Sequence, residues 1–428
     1  MAHKSNNSPV TDEQVMHWIL RVILTILPIL ALAYFYTGSK IYHSINRVWT
    51  LPPVHLKWYL VGMIGYLNLH PLLLILGYLI GFDSLVKTIR EGYRLWDFLF
   101  TYPFWFGLIF VAEMIPWLLL TDLLKVPFFP FFKRFRTEWL NIQSYFILSL
   151  AAFLFFYIII RVYLDTNRVR IVATQLRVSK LPATLAGLKI VHISDLQADS
   201  RTGLRKLKRY IKKVNQLKPD VVFFTGDLVT SGEKYIEQGA EMLSNIQARY
   251  GVYACLGDHD YWSNPKKISE LLNQYNVITL ENVNKFVRVG FDSLLATFVT
   301  NVYQQRPSLD NLNMLMGAQP RGALDIFVTH QPSAELIEMA ADAGYQLFLA
   351  GHTHGGQIVF RPFGLKFTVA RLENKYYTGF YWINHMLVSV NNGLGLTFAP
   401  FRYHAPAEIT LITLSPGTAA TNHKVTDN

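Results

Sequence analysis

The sequence predicts an α-helical membrane bundle of about four spans, followed by an α/β domain. Two observations predict it. Four long apolar stretches crowd the first 160 or so residues. Beyond about Asp165, short apolar runs alternate with amphipathic stretches and Gly-rich turns, the pattern of a mixed-sheet domain. The 428 residues suffice for two domains. Charged residues make up only 16%, against roughly 25% for a soluble chain, and the deficit lies in the N-terminal part. The divisions expected are 1–163 for the helical domain, 164–414 for the α/β domain and 415–428 for a polar tail.

The apolar stretches run from about His17 to Thr37, Lys57 to Phe82, Phe98 to Leu120 and Ile142 to Ile160. Each comes close to or exceeds the roughly 20 residues that cross about 30 Å of hydrocarbon. Trp18, Trp49, Trp58, Trp96, Trp105, Trp117 and Trp139 lie in or near them, many near their ends, as an interfacial belt requires. The first stretch is too long for the apolar core of a signal peptide, and further spans follow it, so a retained helix is expected. The Pro-broken aromatic run Val126–Phe132 suits the interface rather than a span. Together these features imply an integral, multi-pass protein of a bacterial inner membrane or a plasma membrane. Basic residues flank the spans equally on both sides, which leaves the face of the C-terminal domain open. His70 and Glu113 fall within spans; a setting against a neighbouring helix or near a helix end is favoured over a functional one.

A net charge of +11 fits contact with anionic lipid headgroups. No nucleic-acid-binding motif accompanies it, and nucleic acid is not expected as a partner. The single cysteine, Cys255, excludes a disulfide framework and a cysteine-rich zinc site, and its apolar surroundings suit a small buried side chain. In the segment 201–219, Lys206, Arg209 and Lys213 share roughly one helical face, with Lys208 and Lys212 nearby. A solvated flank and a surface for anionic headgroups or an acidic substrate both remain open.

Five short apolar runs end in metal-competent side chains. LKIVHISDLQ delivers Asp195 and Gln197, VVFFTGD delivers Asp227, and VYACLGDHD delivers Asp258, His259 and Asp260. DIFVTH delivers His330, and LFLAGHTHGG delivers His352 and His354. Strands of one sheet end along a common edge, so these side chains can converge on a crevice. Clustered carboxylates repel one another unless cations sit among them, and imidazole with carboxylate suits divalent metals. Any one of these residues alone would read as a turn, cap or structural group; five strand ends in series do not.

The series resembles the calcineurin-like metallophosphoesterases, whose pattern reads D-x-H, G-D, G-N-H-[DE], H and G-H-x-H. The resemblance covers roughly residues 185–412, and in LPATLAGLKIVHISD, GHTHGGQI and VNNGLGLTFAPFRYHAPAEITLITL the chain looks most like the bacterial and eukaryotic branch with N-terminal membrane helices. It implies a two-sheet β-sandwich flanked by helices. It further implies two divalent cations: Asp195 and His354 on the first, Asp227 bridging, and Asp258, His330 and His352 on the second. His259 would face the scissile phosphate and Asp260 would orient it. Gln197 stands where the family has histidine, and Asp258 where it has asparagine. Both replacements favour harder oxygen donors, hence manganese or magnesium over zinc or iron. Arg402 is a candidate phosphate contact, with a structural ion pair as the alternative. The implied activity is metal-dependent hydrolysis of a phosphodiester or pyrophosphate by activated water, with a membrane lipid or lipid-linked phosphate as substrate. Two alternatives stand beside it: a soluble phosphoester with the helices only as anchor, and a metal-binding membrane sensor or scaffold without turnover.

Overall fold

A computed structural model describes residues 12–49, 52–127, 132–318 and 320–417. Most of the run Val126–Phe132 and the tail beyond Gly417 lie outside them; Ser415 and Pro416 close the last strand. The chain forms two compact units, one of Asp12–Leu164 with Val359–Phe367, the other of the remaining residues from Asp165 on.

The helical unit comprises α1 (Asp12–Val48), α2 (Pro53–Leu67), α3 (Leu69–Leu79), α4 (Asp83–Glu91), α5 (Tyr102–Leu123) and α6 (Phe132–Asn167), the last crossing into the other unit at its final turn. Three stretches are long and apolar enough to cross a membrane: Leu20–Val48, Arg94–Leu123 and Phe132–Asn167. The second expected span is instead a pair, α2 and α3, bent by 55°. Pro71 explains the bend. It lacks an N–H, and its ring clashes with the carbonyl four residues back, at Leu67, where α2 ends. A π-helical turn at Asp97–Thr101 leads into α5. At 36 residues, α6 is roughly 54 Å long, well beyond the hydrocarbon thickness. Lys40 of α1 and Lys125 both bond Asp122 of α5, at 2.5 and 2.7 Å, and Gln143 of α6 reaches the same carboxylate. His70 faces neighbouring helical turns. Its Nδ1 is 3.4 Å from Trp96 Nε1 and 3.3 Å from Thr101 Oγ1, and its ring stacks on Phe104.

The second unit holds two six-stranded mixed sheets. The first takes β1 (Val169–Val178), β2 (Lys189–Ile193), β3 (Val221–Phe224), β4 (Val252–Ala254), β5 (Val277–Thr279) and β12 (Ala407–Pro416), in the order β1-β12-β2-β3-β4-β5. The second takes β6 (Val283–Val289), β7 (Asp292–Val299), β8 (Leu324–Thr329), β9 (Leu347–Ala350), β10 (Gly379–Ile383) and β11 (Met386–Val390), in the order β10-β11-β9-β8-β7-β6. Strands β2 to β5 run parallel, as do β7, β8, β9 and β11. Parallel strands covered on both faces read as unbroken apolar runs rather than alternations, and VVFF of β3 is wholly buried. Ile190, Phe223 and Cys255 from the first sheet meet Ala296, Ile326 and Leu349 from the second in a shared core. Helices cover the outer faces. Leu207, Tyr210, Ile211 and Val214 of α7 (Leu204–Gln216) pack on the first sheet, and Leu336, Ile337 and Ala340 on the second.

Candidate metal centre

Each parallel strand hands its chain to a tight loop at its carboxyl end, and those loops carry the polar residues. Asp195, Gln197, Asp227, His352 and His354 all have positive φ, between 48° and 69°. Non-glycine residues held there are strained, and such strain concentrates where the surrounding structure fixes a functional side chain. Gly257 allows the β3 and β4 loops to touch, because a Cβ there would land on the Asp227 carboxylate.

The loops converge. Asp258, His330 and His352 present ligand atoms within 4.8 Å of one another, as do Asp195, Asp227 and His330. The two groups share His330 and are buried apart from the partly exposed His352. The His330 Nε2 lies 3.2 Å from Asp258 Oδ2 and 3.5 Å from Asp227 Oδ2. Its Nδ1 is 2.7 Å from the Thr225 carbonyl, which can only accept, so the proton sits on Nδ1 and Nε2 is left for the centre. His352 points Nδ1 at Asp258, at 2.8 Å, and His354 points Nε2 at Asp195 Oδ1, at 3.3 Å. Gln197 donates through Nε2 to Asp227 Oδ2 at 2.8 Å.

These residues fit a cation pair. Among the described residues, buried Gln197 Oε1 and His354 Nδ1 make no hydrogen bond, and Asp195 Oδ1 and His330 Nε2 have only ion-pair contacts of 3.2 to 3.5 Å. Orphaned acceptors of this kind cost free energy unless something electropositive meets them. The Gln197 carbonyl oxygen supplies a hard donor in the position where the resembled pattern has imidazole.

The electrostatics of the metal-free centre agree. Burial works against ionising Asp258, but His352 and His330 outweigh it and hold its carboxyl well below the usual range. His330 is pushed well above its ordinary value despite burial, by Asp227 and Asp258. Burial also opposes the charge on His352, yet Asp258 raises it to about 9. Burial, reinforced by Asp195 and Asp258, lifts Asp227 to about 7. Protons on two histidines thus stand where cations would neutralise the carboxylates. Metal ions must displace them, so affinity falls on acidification. We expect manganese affinity at pH 6.5 to be at least tenfold weaker than at pH 8.5 by titration calorimetry in matched buffers; affinity independent of pH would contradict this.

His259 lies beside the two groups and belongs to neither. Its Nδ1 donates to the Thr230 carbonyl at 2.6 Å, its Nε2 stands 3.5 Å from Thr397 Oγ1, and burial lowers its pKa. The role expected for Asp260 is corrected here. Its carboxylate accepts from the backbone amides of Asp227, Leu228 and Gly257, at 2.8 to 2.9 Å. It therefore clamps the β3 loop to the β4 loop, and Thr230 orients the His259 ring. Arg402 is 1% exposed. Its Nη atoms donate to the carbonyls of His354, Asn392, Gly393, Gly395 and Ala405. Those donors hold the loop of His354 against the loop after β11, a setting different from a direct phosphate contact.

Several residues at the centre escaped sequence reasoning. Gln331 Nε2 donates to both oxygens of Asp258, and the Tyr303 amide donates to Oδ1. Tyr303 Oη bonds Glu373 and stands 3.3 Å from His352 Nε2. Gln331 could have been found as the polar residue next to His330. Tyr303 and Glu373 carry no local signal.

Asp and His side chains gathered at the carboxyl ends of two facing sheets define a metal-binding α/β sandwich. The family model for calcineurin-like phosphoesterases matches residues 188–356. A transmembrane protein with metallophosphoesterase domain from Danio rerio is 31% identical over 258 residues, 57% of each chain, so the match spans little more than half of that relative. The uncharacterized metallophosphoesterase YkuE of Bacillus subtilis is 30% identical over 59% of this chain and 87% of its own. The UDP-2,3-diacylglucosamine pyrophosphatase LpxG of Chlamydia trachomatis is 37% identical over 100 residues, 23% of this chain and 30% of its own. The chain belongs to the calcineurin-like phosphoesterase family.

Proposed function

We propose that this protein is a multi-pass membrane phosphoesterase that hydrolyses a lipid-linked pyrophosphate or phosphodiester with two divalent cations. The observation that carries the reading is the pair of metal-competent groups sharing His330. Asp195, Gln197, Asp227 and His354 would hold one cation, and Asp227, Asp258, His330 and His352 the other. When bound, such a pair supplies an activated water near neutral pH and neutralises charge on the phosphate. Asp260 fixes the backbone on which Asp227 and Asp258 sit. Thr230 keeps the His259 proton on Nδ1, leaving Nε2 to carry a second proton toward the departing oxygen. Burial disfavours that proton, and the negative charge of a bound phosphate favours it.

The apolar helices support a substrate met at the bilayer, as does similarity to a relative named for a diacylated nucleotide sugar. The deciding experiment is hydrolysis by the detergent-purified protein, with and without manganese, of bis-p-nitrophenyl phosphate and of a lipid-linked pyrophosphate. Turnover of neither would sink the reading and leave the scaffold alternative. The oxygen-rich donor set, with Gln197 and Asp258 replacing nitrogen-rich or neutral residues, favours manganese or magnesium. After chelation and reloading, manganese should restore more activity than zinc, and Gln197→His should narrow the gap. Zinc restoring more than manganese in the wild type would contradict the assignment.

A further inference from the structure

Helix α7 begins seven residues beyond Gln197 and presents three kinds of face. Leu207, Tyr210, Ile211 and Val214 are buried, and Arg205, Lys208 and Lys212 are exposed. Between them runs a half-buried stripe of Lys206, Arg209 and Lys213, preceded in the chain by buried Thr202. The spacings of three and four residues place Lys206, Arg209 and Lys213 on one line; Thr202 precedes the extended N-cap Gly203 and lies outside the helix.

Two features of this stripe go beyond a solvated flank. First, Arg209 Nε and Nη2 are buried and make no hydrogen bond among the described residues. Those are the two donors of one edge of the guanidinium, the fork that grips two oxygens of a single phosphate or carboxylate. Second, the Thr202 hydroxyl is buried without a partner, in a residue with no exposed surface. The nearby acid, Asp199, does not serve them. Its oxygens accept from the amides of Arg201 and Thr202 and from Thr230 Oγ1. Burial lowers the Lys206 pKa, and nearby Arg209 and Arg402 add to this while Asp199 opposes it. The stripe is also coupled to the metal centre by chain. Thr230, whose hydroxyl bonds Asp199, is the residue whose carbonyl holds His259.

We propose that Thr202, Lys206 and Arg209 form a phosphate-binding subsite next to the metal centre, Arg209 gripping two phosphate oxygens through its Nε and Nη2. The chemistry is that of an anionic phosphate group, supplied by a bilayer phospholipid or by a second phosphate of the substrate. The second source rests on the phosphoesterase reading; the first does not.

The test uses the full-length protein in detergent. Binding of phosphatidylglycerol and of phosphatidylcholine is measured by native mass spectrometry, and KM is measured for soluble phosphoesters carrying one or two phosphates. Arg209→Lys keeps the charge and removes the fork, and Lys206→Gln/Arg209→Gln removes both cations. Arg205→Gln/Lys208→Gln removes the same charge from the exposed face, and unchanged melting temperatures confirm folding of all three. We expect Arg209→Lys to weaken one anionic ligand about tenfold or more, and the exposed-face variant to weaken it less than twofold. Loss confined to phosphatidylglycerol assigns the lipid as source. A rise in KM confined to the two-phosphate ester assigns the substrate. Equal losses in Arg205→Gln/Lys208→Gln and Lys206→Gln/Arg209→Gln would mean diffuse charge and overturn the subsite. So would unaltered binding of both anions by Arg209→Lys. Absence of all hydrolysis refutes the phosphoesterase reading, while the lipid-binding arm still decides the subsite.

Discussion

Replacing Asp227 with Asn should lower kcat/KM on the order of 10³-fold, about 4 kcal/mol, while the protein still inserts into membranes. Asp227 belongs to the metal-competent group with Asp195 and the shared His330, accepting from the His259 amide and from Gln197 and lying 3.5 Å from His330. A neutral amide cannot gather two cations there. Thermal unfolding gives an independent signature. In the metal-free protein burial raises the Asp227 pKa from 3.8 to about 7. A carboxyl whose folded pKa lies above its unfolded value costs stability as pH rises between those values, and the full cost is present above about 7. With chelator at pH 8, the Asn variant should therefore melt at or above the wild-type temperature. With manganese the order should reverse, because only the wild type gains from both cations. Full hydrolytic activity in the variant, or an undiminished manganese-induced rise in melting temperature, would remove Asp227 from the centre.

Replacing His259 with Ala should lower kcat by about 10²- to 10⁴-fold without reducing the metal content. His259 lies outside both metal-competent groups, so its loss separates chemistry from metal binding. The loss should be large for an alkyl phosphoester, whose leaving oxygen needs a proton, and small for a p-nitrophenyl ester, whose leaving group departs as an anion. It should also shrink as pH rises, because burial already lowers the imidazole pKa and the wild-type ring surrenders its second proton early. Equal losses for both leaving groups, or a parallel drop in bound manganese, would assign His259 a structural role instead.

Much of the centre was legible in the chain because its donors are side chains of unusual type at the ends of apolar runs. Asp195, Asp227, Asp258, His330, His352 and His354 each follow an apolar run short enough to be a buried strand, and order along the chain supplied what single residues lacked. What stayed illegible was done by groups without a residue-type signature. The partner of His259 is a backbone carbonyl, at Thr230, and any residue has one. Asp260 next to His259 invited a side-chain pairing, but its carboxylate turns to three amides that only the folded loops bring together. Arg402 looked available to a phosphate because nothing in the sequence reveals five carbonyls converging on it from segments up to 48 residues away. In the helical unit hydropathy located the second apolar stretch, yet periodicity ran straight through Asn68 and Pro71, where the backbone bends.

The strand order β1-β12-β2 has a consequence for biosynthesis. Strand β12 is made long after β1 and β2, yet it is wedged between them, parallel to one and antiparallel to the other. While a ribosome is still translating residues 407–416, β1 and β2 have no bond to each other, and every metal-competent side chain of the centre has already been made. The guanidinium that braces the His354 loop, at Arg402, is also made after all of those side chains. A chain cut at residue 400 would carry the full donor set but lack β12 and the Arg402 brace of the His354 loop. Until β12 pairs with both, the facing edges of β1 and β2 stay open to pairing with another chain.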